Sequence, residues 1–318
     1  MSSISSPSSK NFLTGTELAP GDLLALLDLA DQLRDERIAG KTRTDLAGKS
    51  LALVFEKPSL RTHVSFSVAM QELGGLVIDT FSLHRKKEEP EDVGRVLTGY
   101  VDAVMIRTHE HSIIERMASK TPIPIINGLS DTHHPCQILA DLLTLKQRLG
   151  RLQGLKLAYI GDGNNILHSL LLLLPLAGVS VSFACPKGYE PNAFILKKAR
   201  QLAKESGCKI EASHDPQKAV RGADAIYTDV WTSMGFESEE ASRESAFDGY
   251  QVNAELQKLA QPHALIMHCL PMVRGKEITE ECVEHPNSAI FRQAENRLHA
   301  QKALLLTTLR GAKRASYF

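Results

Sequence analysis

The sequence lacks an excess of charge of either sign, which limits the kind of partner it can bind. Its 318 residues include 37 basic and 37 acidic side chains, so the formal net charge is zero. Without a net cationic field, nothing attracts nucleic acid or an anionic membrane, and any anion site must be a local arrangement of arginines. We therefore expect a small-molecule partner, with no nucleic acid and no membrane.

Cysteine pairs, targeting segments and membrane-length apolar runs are missing as well. The five cysteines are scattered without a CxxC pair, which favours a reducing cytoplasm over a disulfide framework. Residues 1–10 have neither the apolar core of a signal peptide nor the arginines of a mitochondrial presequence, so we interpret them as a disordered tail. The most apolar run, 170–174, is too short to cross a bilayer and predicts a buried helix.

What the sequence does have is 43% hydrophobic residues, arranged as short strand-like runs that alternate with helix-length segments. This alternation predicts an α/β fold of two doubly wound parallel-sheet domains joined by helices, with the C-terminal helix returning to the first domain. The predicted limits are 11–149, 150–290 and, for the returning segment, 291–318. The predicted strands are 51–56, 76–81, 103–107, 123–127, 155–161, 179–185, 209–213, 225–229 and 264–269, and two long helices are predicted at 137–149 and about 295–309. Because open α/β sheets bind ligands at the carboxyl ends of their strands, we expect site residues there.

A phosphate-binding helix start is predicted just after the first strand. Ser59 is a good N-cap residue, so the backbone amides of residues 60–62 would converge on one point and attract an anion. Arg61 adds a planar donor fork that matches phosphate oxygens. The alternative interpretation is an ordinary capped helix with a surface arginine.

A second cluster of polar residues follows the next strands of the first half. Arg107 ends one strand, and Pro135 stands where a helix would begin, with His134 before it and Gln137 one turn in. A histidine can donate a hydrogen bond to a carbonyl oxygen, and a glutamine can accept one from an amide. Adjacent His133 and His134 suggest a metal site as a rival, but no third ligand follows at zinc-like spacing, so we expect no metal.

Three strand ends in the second half also carry candidate site residues. The Gly-Asp-Gly-Asn-Asn-Ile run at 161–166 lacks the third glycine of a dinucleotide-binding motif, so it is poor evidence for NAD. Its Asn164 and Asn165 instead offer amides to a carboxylate or an amine. Asp229 is placed to hold an ammonium group, although a mobile loop with one buried tryptophan is the alternative. Cys269 could be a nucleophile, a proton acceptor or a packing residue.

Taken together, these segments resemble the aspartate/ornithine carbamoyltransferase family over nearly the whole chain. The family's S-T-R-T, H-P-x-Q and H-C-L-P signatures correspond to Ser-Leu-Arg-Thr at 59–62, His-Pro-Cys-Gln at 134–137 and His-Cys-Leu-Pro at 268–271. The segments 161–165 and 229–235 resemble those of the ornithine-specific members, and Arg297 matches an arginine that members use from the C-terminal helix.

The chain departs from the family's pattern at several positions. Leu60 replaces the usual threonine but keeps its backbone amide, and His63 stands where many members have arginine. The segment 81–87 is shorter than usual. In the family this loop reaches into the site of a neighbouring subunit, and His84 is the candidate here.

The resemblance implies transfer of the carbamoyl group of carbamoyl phosphate to the δ-amine of L-ornithine, giving L-citrulline and phosphate, without a metal or organic cofactor. It also implies a homotrimer or a multiple of trimers. The residues it assigns to carbamoyl phosphate are Ser59, Leu60, Arg61, Thr62, Arg107, His134, Gln137, Cys269, Leu270 and Arg297. Those it assigns to ornithine are Asn165, Asp229, Ser233 and Met234, with Cys269, Arg61, Arg107 and His134 as the catalytic set.

Other functions stay open at this point. The acceptor could instead be N-acylated ornithine, putrescine or aspartate, although an acylated α-nitrogen has no charge for Asp229 to hold. Outside transferases, a nucleotide-dependent oxidoreductase and a non-catalytic binding protein are the alternatives. The missing third glycine argues against the first, and the presence of Arg61, Arg107 and Cys269 argues against the second.

Overall fold

The computed structural model describes residues 10–81, 88–232 and 239–310, with Phe81 described by its backbone alone. The chain divides into two compact units, Met1–Leu143 with Asn296–Phe318, and Thr144–Glu295. The boundaries between the units, at 143/144 and 295/296, each fall inside a helix, so each of these two helices contributes residues to both units. The domain limits expected from the sequence, at 149/150 and 290/291, stay a prediction.

The first unit is built on a parallel sheet whose strand order is β2-β1-β3-β4 within the described residues. The strands are β1 (Ser50–Phe55), β2 (Leu76–Phe81), β3 (Ala103–Arg107) and β4 (Ile125–Leu129). Both β1 and β3 are apolar and almost wholly buried, as expected for strands covered on two faces. Phe55 pairs with Arg107, so β1 and β3 end level with each other. This register puts the residues that follow β1 beside Arg107.

Helices cover the first unit's sheet and connect its strands in turn. They are α1 (Pro20–Ile38), α2 (Leu60–Glu72), α3 (Pro90–Thr98), α4 (His111–Lys120) and α5 (Pro135–Leu149). The C-terminal α12 (Ile290–Leu309) supplies residues 296–309 to this unit, where Lys302 pairs with Glu72 of α2 at 2.6 Å. The predicted return of the last helix to the first domain is confirmed.

The second unit has a parallel sheet with the order β7-β6-β5-β8-β9 within the described residues. Its strands are β5 (Lys156–Ile160), β6 (Ser180–Ala184), β7 (Ile210–Ser213), β8 (Ala225–Thr228) and β9 (Leu265–His268). Thr228 pairs with both Ile160 and His268, so β5, β8 and β9 end at one edge. The residues that follow these three strands are therefore neighbours.

The helices of the second unit include the apolar run singled out in the sequence. They are α6 (Asn165–Leu176), α7 (Ala193–Ser206), α8 (Pro216–Val220), α9 (Glu240–Ala246), α10 (Ala254–Gln257) and α11 (Glu280–Val283). The run 170–174 is buried in α6, as predicted. Among the described residues, no helix combines the length and apolarity needed to cross a membrane.

Candidate active site

The start of α2 lies at the carboxyl edge of the first sheet, where the sequence predicts an anion site. Ser59 occupies the N-cap position in extended conformation, but its hydroxyl makes no capping hydrogen bond. The expected side-chain cap is therefore wrong, although its position is right. The backbone amides of residues 60–62 are the first of the helix, so no carbonyl within the helix accepts from them. They also lie at the positive end of the helix dipole.

Arg107 ends β3 beside this helix start and is buried. Its Nε lies out of contact with solvent and has no hydrogen-bond partner among the described residues. Burial first, and then the cations of Arg297 and Arg61, lower the pKa of Arg107 to about 10. A guanidinium remains charged at neutral pH even so, and three such groups close together attract an anion strongly.

His134 is buried immediately before α5, with Pro135 at the first helical position as predicted. Burial is the main reason that the pKa of His134 lies well below its usual value of 6.5. The guanidiniums of Arg297, Arg107 and Arg61 act in the same direction. The imidazole is therefore neutral at physiological pH and carries one N–H, which can donate a hydrogen bond without bringing another charge into the site.

Arg297 reaches from α12 to the same cluster across a long stretch of sequence. Its Nη1 donates to Gln137 Oε1 at 2.8 Å, and its Nη2 donates to Thr62 Oγ1 at 2.9 Å. The amide of Gln137 is held at its other end, where Nε2 donates to Asp141 Oδ1 at 2.9 Å. These bonds bring together residues of three helices that the sequence motifs placed at one anion site.

A second cluster lies at the carboxyl edge of the second sheet, around Asp229. The thiol of Cys269 donates to Asp229 Oδ1 at 3.0 Å, and the backbone N–H of Val230 donates to the same oxygen at 2.8 Å. Asn164 donates through Nδ2 to Asp229 Oδ2 at 2.8 Å. A carboxylate held by three donors has about one acceptor site left, here on Oδ2, and offers it in a fixed direction, which suits recognition of an ammonium group.

The sequence offers the amides of both Asn164 and Asn165 to a carboxylate or an amine, although the family resemblance assigns only Asn165 to ornithine. The Oδ1 atom of Asn164 accepts from the amides of Ile166 and Leu167, so it caps α6, while its Nδ2 faces Asp229. Asn165 is half-buried in the first turn of α6. An asparagine between a strand and a helix indicates a cap, and the carboxylate that the Asn164 amide meets belongs to Asp229 of the protein itself.

The backbone that follows β9 is fixed by a buried histidine and a buried glutamate. His268 Nδ1 accepts from the amide of Leu270 at 2.9 Å, and its Nε2 lies 3.1 Å from Glu277 Oε1. Leu270 has a positive φ of 61°, a conformation that is strained for a leucine and is held here by this bond. The sequence motif identified this turn but not Glu277, which lies nine residues beyond His268.

Asp229, His268 and Cys269 place one potential ligand atom each within 4.8 Å of one another. Both ring nitrogens of His268 are already engaged in the hydrogen bonds to Leu270 and Glu277. The cluster therefore offers a metal two atoms in place of three, fewer than protein zinc sites use. Its geometry fits a hydrogen-bonded binding site better than a metal centre.

Arg243 of α9 links the turn that follows β5 to the turn that follows β8. It donates through Nη1 to Asp162 Oδ2 at 2.9 Å and to the carbonyl of Trp231 at 3.0 Å. Burial nevertheless raises the pKa of Asp162, although the Arg243 cation opposes this shift. Three residues assigned from the sequence, His84, Ser233 and Met234, lie outside the described residues.

Comparisons with known proteins place both units in one family. Residues 10–147 match the model "Aspartate/ornithine carbamoyltransferase, carbamoyl-P binding domain". Residues 153–308 match "Aspartate/ornithine carbamoyltransferase, Asp/Orn binding domain". The two matched segments therefore cover nearly the whole chain.

Individual relatives are similar in both sequence and structure. The ornithine carbamoyltransferase of Anoxybacillus flavithermus is 48% identical over 303 residues, covering 94% of this chain and 96% of that protein. The "Ornithine carbamoyltransferase, anabolic" of Pyrococcus furiosus is 47% identical, covering 92% of this chain and 94% of that protein. A solved ornithine carbamoyltransferase from Pyrococcus furiosus superposes with a TM-score of 0.92 at 45% identity, covering 95% of this chain and 98% of that one. The arginine cluster, the Asp229 cluster and these matches agree, and the chain belongs to the aspartate/ornithine carbamoyltransferase family.

Proposed function

We propose that this chain transfers the carbamoyl group of carbamoyl phosphate to the δ-amine of L-ornithine, giving L-citrulline and phosphate. The observation that carries the proposal is the convergence of Arg107, Arg297 and neutral His134 beside the start of α2, in the unit that matches the carbamoyl-phosphate-binding domain. The relatives named ornithine carbamoyltransferase support the choice of acceptor.

The first unit would bind the phosphate and activate the carbonyl group. Ser59, Arg61, Thr62 and the Leu60 amide would hold the phosphate oxygens at the helix start. Arg107 and His134 would donate to the carbonyl oxygen, where negative charge develops during attack. Because His134 is neutral, it would act as a hydrogen-bond donor and not as a second cation.

The carbamoyl NH₂ needs acceptors, and Gln137 offers one. Its Oε1 already accepts from Arg297 but has a second lone pair available to a ligand. The carbonyl oxygens of Cys269 and Leu270 are the further acceptors we propose. Arg297 would add positive charge to the phosphate end of the substrate.

The second unit would hold ornithine. The Asp229 carboxylate would take the α-ammonium together with Ser233, and Asn165 and the Met234 amide would take the carboxylate. Cys269 would orient the δ-amine or, as the thiolate, accept its proton. The thiol donates to Asp229 Oδ1 in the present structure, so the ammonium group of ornithine would bind at Oδ2 or displace the thiol.

The chemistry is an acyl transfer that needs no redox partner. The neutral δ-nitrogen attacks the carbonyl carbon, a C–N bond forms, and the carbonyl oxygen becomes an oxyanion. Collapse of this intermediate breaks the bond between carbon and the phosphate oxygen, and phosphate leaves with the electron pair and takes up the proton that the nitrogen loses. The protein's contribution is positioning and electrostatic stabilisation.

We also propose a homotrimer, or a multiple of trimers, in the cytoplasm. Leu60 and Val64 lie one turn apart on α2 and are 77% and 47% exposed, while Leu76 and Ile78 on the edge strand β2 are 59% and 40% exposed. Exposed apolar side chains grouped in this way mark surfaces that bind other chains. The five cysteines, all outside disulfides, fit a reducing compartment. Light scattering on the purified protein tests the assembly.

The function is tested by incubating the protein with carbamoyl phosphate and a panel of acceptors. The panel contains L-ornithine, N-acetylornithine, putrescine and aspartate, and each product is identified by mass spectrometry. We expect citrulline from ornithine and little product from the others, because only ornithine presents both an α-ammonium and an α-carboxylate with a free δ-amine. A preference for putrescine or N-acetylornithine would overturn the proposed acceptor.

A further inference from the structure

Gln301 contacts Arg297 directly, although no family motif includes it. It lies on α12 one turn beyond Arg297 and is fully buried. Its side chain stands between the Arg297 guanidinium and the Ser65 hydroxyl of α2. A buried amide in this position must match donors to acceptors on both sides.

The orientation of the Gln301 amide follows from its neighbours. The Ser65 hydroxyl donates its hydrogen to the carbonyls of Arg61, at 2.5 Å, and Thr62, at 3.2 Å, so it can only accept from Gln301. An arginine has donors alone, so it requires an acceptor. The amide therefore points Nε2 towards Ser65 and Oε1 towards Arg297, where Oε1 accepts from Nη2 at 3.0 Å and from Nε at 3.1 Å.

With these two bonds, all three nitrogens of the Arg297 guanidinium have a hydrogen-bond acceptor. Gln301 holds Nε and Nη2, Thr62 holds Nη2, and Gln137 holds Nη1. All three acceptors are uncharged, so these bonds orient the guanidinium without offsetting its positive charge. A carboxylate in place of Gln301 would hold the same atoms but would cancel the charge that an anionic substrate needs.

We propose that Gln301 is a positioning residue, which acts through Arg297 on the binding of carbamoyl phosphate. The inference rests on the proposed function and names a residue that never touches the substrate. Through Ser65 it also ties α12 to the same helix start that would hold the phosphate. Gln301 thereby fixes the direction of the Arg297 side chain without offsetting its positive charge.

The test is a double-mutant cycle on Arg297→Met and Gln301→Met, followed by citrulline formation. We expect Gln301→Met to raise the KM for carbamoyl phosphate about ten- to a hundredfold, since bonds to a charged group are lost. The KM for ornithine should stay within about twofold. Because Gln301 acts through Arg297, the double variant should match Arg297→Met alone within about twofold.

The matched control is Lys302→Met, which changes the next buried polar residue of α12. Lys302 pairs with Glu72, so its loss should leave both KM values unchanged although it affects stability. A rise in the KM for carbamoyl phosphate equal to that of Gln301→Met would indicate a general effect of α12 and would overturn the proposal. The proposal would also be overturned if the double variant showed the product of the two single-variant increases in the KM for carbamoyl phosphate, because Gln301 would then act independently of Arg297.

Ser65→Ala provides the same test should Gln301→Met fail to fold. It removes the group that orients the Gln301 amide, and we expect the KM for carbamoyl phosphate to rise about two- to fivefold with no change for ornithine. An unchanged KM would contradict the proposal. The unmutated protein distinguishes failure of the proposed function from failure of this proposal. If it forms no citrulline, the proposed function is wrong. If it forms citrulline, the variants test the role of Gln301 alone.

Discussion

The thiol of Cys269 donates a hydrogen bond to Asp229 Oδ1, 3.0 Å away. The two residues are 40 positions apart in sequence and follow adjacent strands, β9 and β8. Because Asp229 also accepts from Asn164 and Val230, the carboxylate is held from three directions. An ammonium group that binds Asp229 must therefore use the acceptor site left on Oδ2 or displace one of these three donors.

Cys269→Ala should impair the use of ornithine more than the binding of carbamoyl phosphate. Loss of the thiol removes a donor to Asp229 and the group proposed to contact the δ-amine. We expect kcat/KM for ornithine to fall about ten- to a thousandfold, on the scale of one transition-state contact. Steady-state kinetics with each substrate varied in turn measures this. An effect confined to the KM for carbamoyl phosphate would contradict the placement of Cys269 beside the amine.

Asn164 has two separable tasks, and two substitutions distinguish them. Asn164→Ala should lower the free energy of unfolding by about 1 kcal/mol through loss of the α6 cap and should also raise the KM for ornithine. Asn164→Asp keeps a capping oxygen but sets a like charge beside Asp229, so ornithine use should fall further than in Asn164→Ala although the cap is retained.

Asn192→Ala is the control for that pair, because Asn192 caps α7 through the same two kinds of bond. It should cost similar stability in a denaturant titration and leave the KM for ornithine unchanged. If Asn192→Ala raises this KM as much as Asn164→Ala, the effect follows from helix stability and not from Asp229.

Arg61→Ala should lower kcat/KM by at least about a thousandfold, since it removes a charge-assisted phosphate contact. The fold should be little affected. Arg95→Ala, which removes an exposed arginine paired with Asp92 on α3, is the control and should be neutral. Near-normal turnover by a folded Arg61→Ala protein would exclude the α2 start from the site.

Stability should fall as the pH is lowered below about 6.5, because the folded state holds His134 neutral. The pKa of His134 is lowered by burial and by its arginine neighbours, and that of His111 is lowered mainly by burial. The unfolded chain takes up protons at these positions near pH 6.5 and the folded chain does not, so acid favours unfolding. Urea titrations at several pH values should show a shallower decline in His134→Gln. An equal decline in this variant would contradict the inferred neutral imidazole.

Activity should rise from neutral to alkaline pH as the attacking amine loses its proton, since a free amine of this kind has a pKa of about 10.4. Titration of His134 should not change the activity between pH 6 and 9, because its pKa lies well below 6.5. The measurement is kcat/KM against pH with chemistry rate-limiting. A flat profile would contradict attack by the neutral amine.

The sheets could be predicted from the sequence because parallel strands leave a strong local signal. Every predicted strand lies within two residues of an observed one, as with 123–127 and Ile125–Leu129. The predicted start of α12 is wrong by five residues, since the helix begins at Ile290 and not at about residue 295. Its first turn combines the exposed Phe291 with the buried Gln293, which obscures the helical pattern of apolar residues.

The motifs also located the anion cluster and the Asp229 cluster, because most motif residues end or follow a strand at a sheet edge. Arg297, within α12, was assigned by the family resemblance alone. The motifs could not identify residues that act on motif residues from elsewhere. Arg243 orients Asp162 from a helix 81 positions further along the chain, and Gln301 orients Arg297 from the next turn of the same helix. Such partners carry no local pattern, because their selection depends on tertiary packing and hydrogen-bond matching.

Arg297 and Thr62 are hydrogen-bonded although 235 residues separate them in sequence. During synthesis, a ribosome-bound chain that ends at residue 290 would contain all the strands of both described sheets and would still lack this contact. Contacts of such long sequence separation form late, because the intervening chain must first be available to close. The anion cluster should therefore be the last part of the first unit to mature, so an incomplete chain would fold most of its secondary structure without acquiring affinity for its anionic substrate.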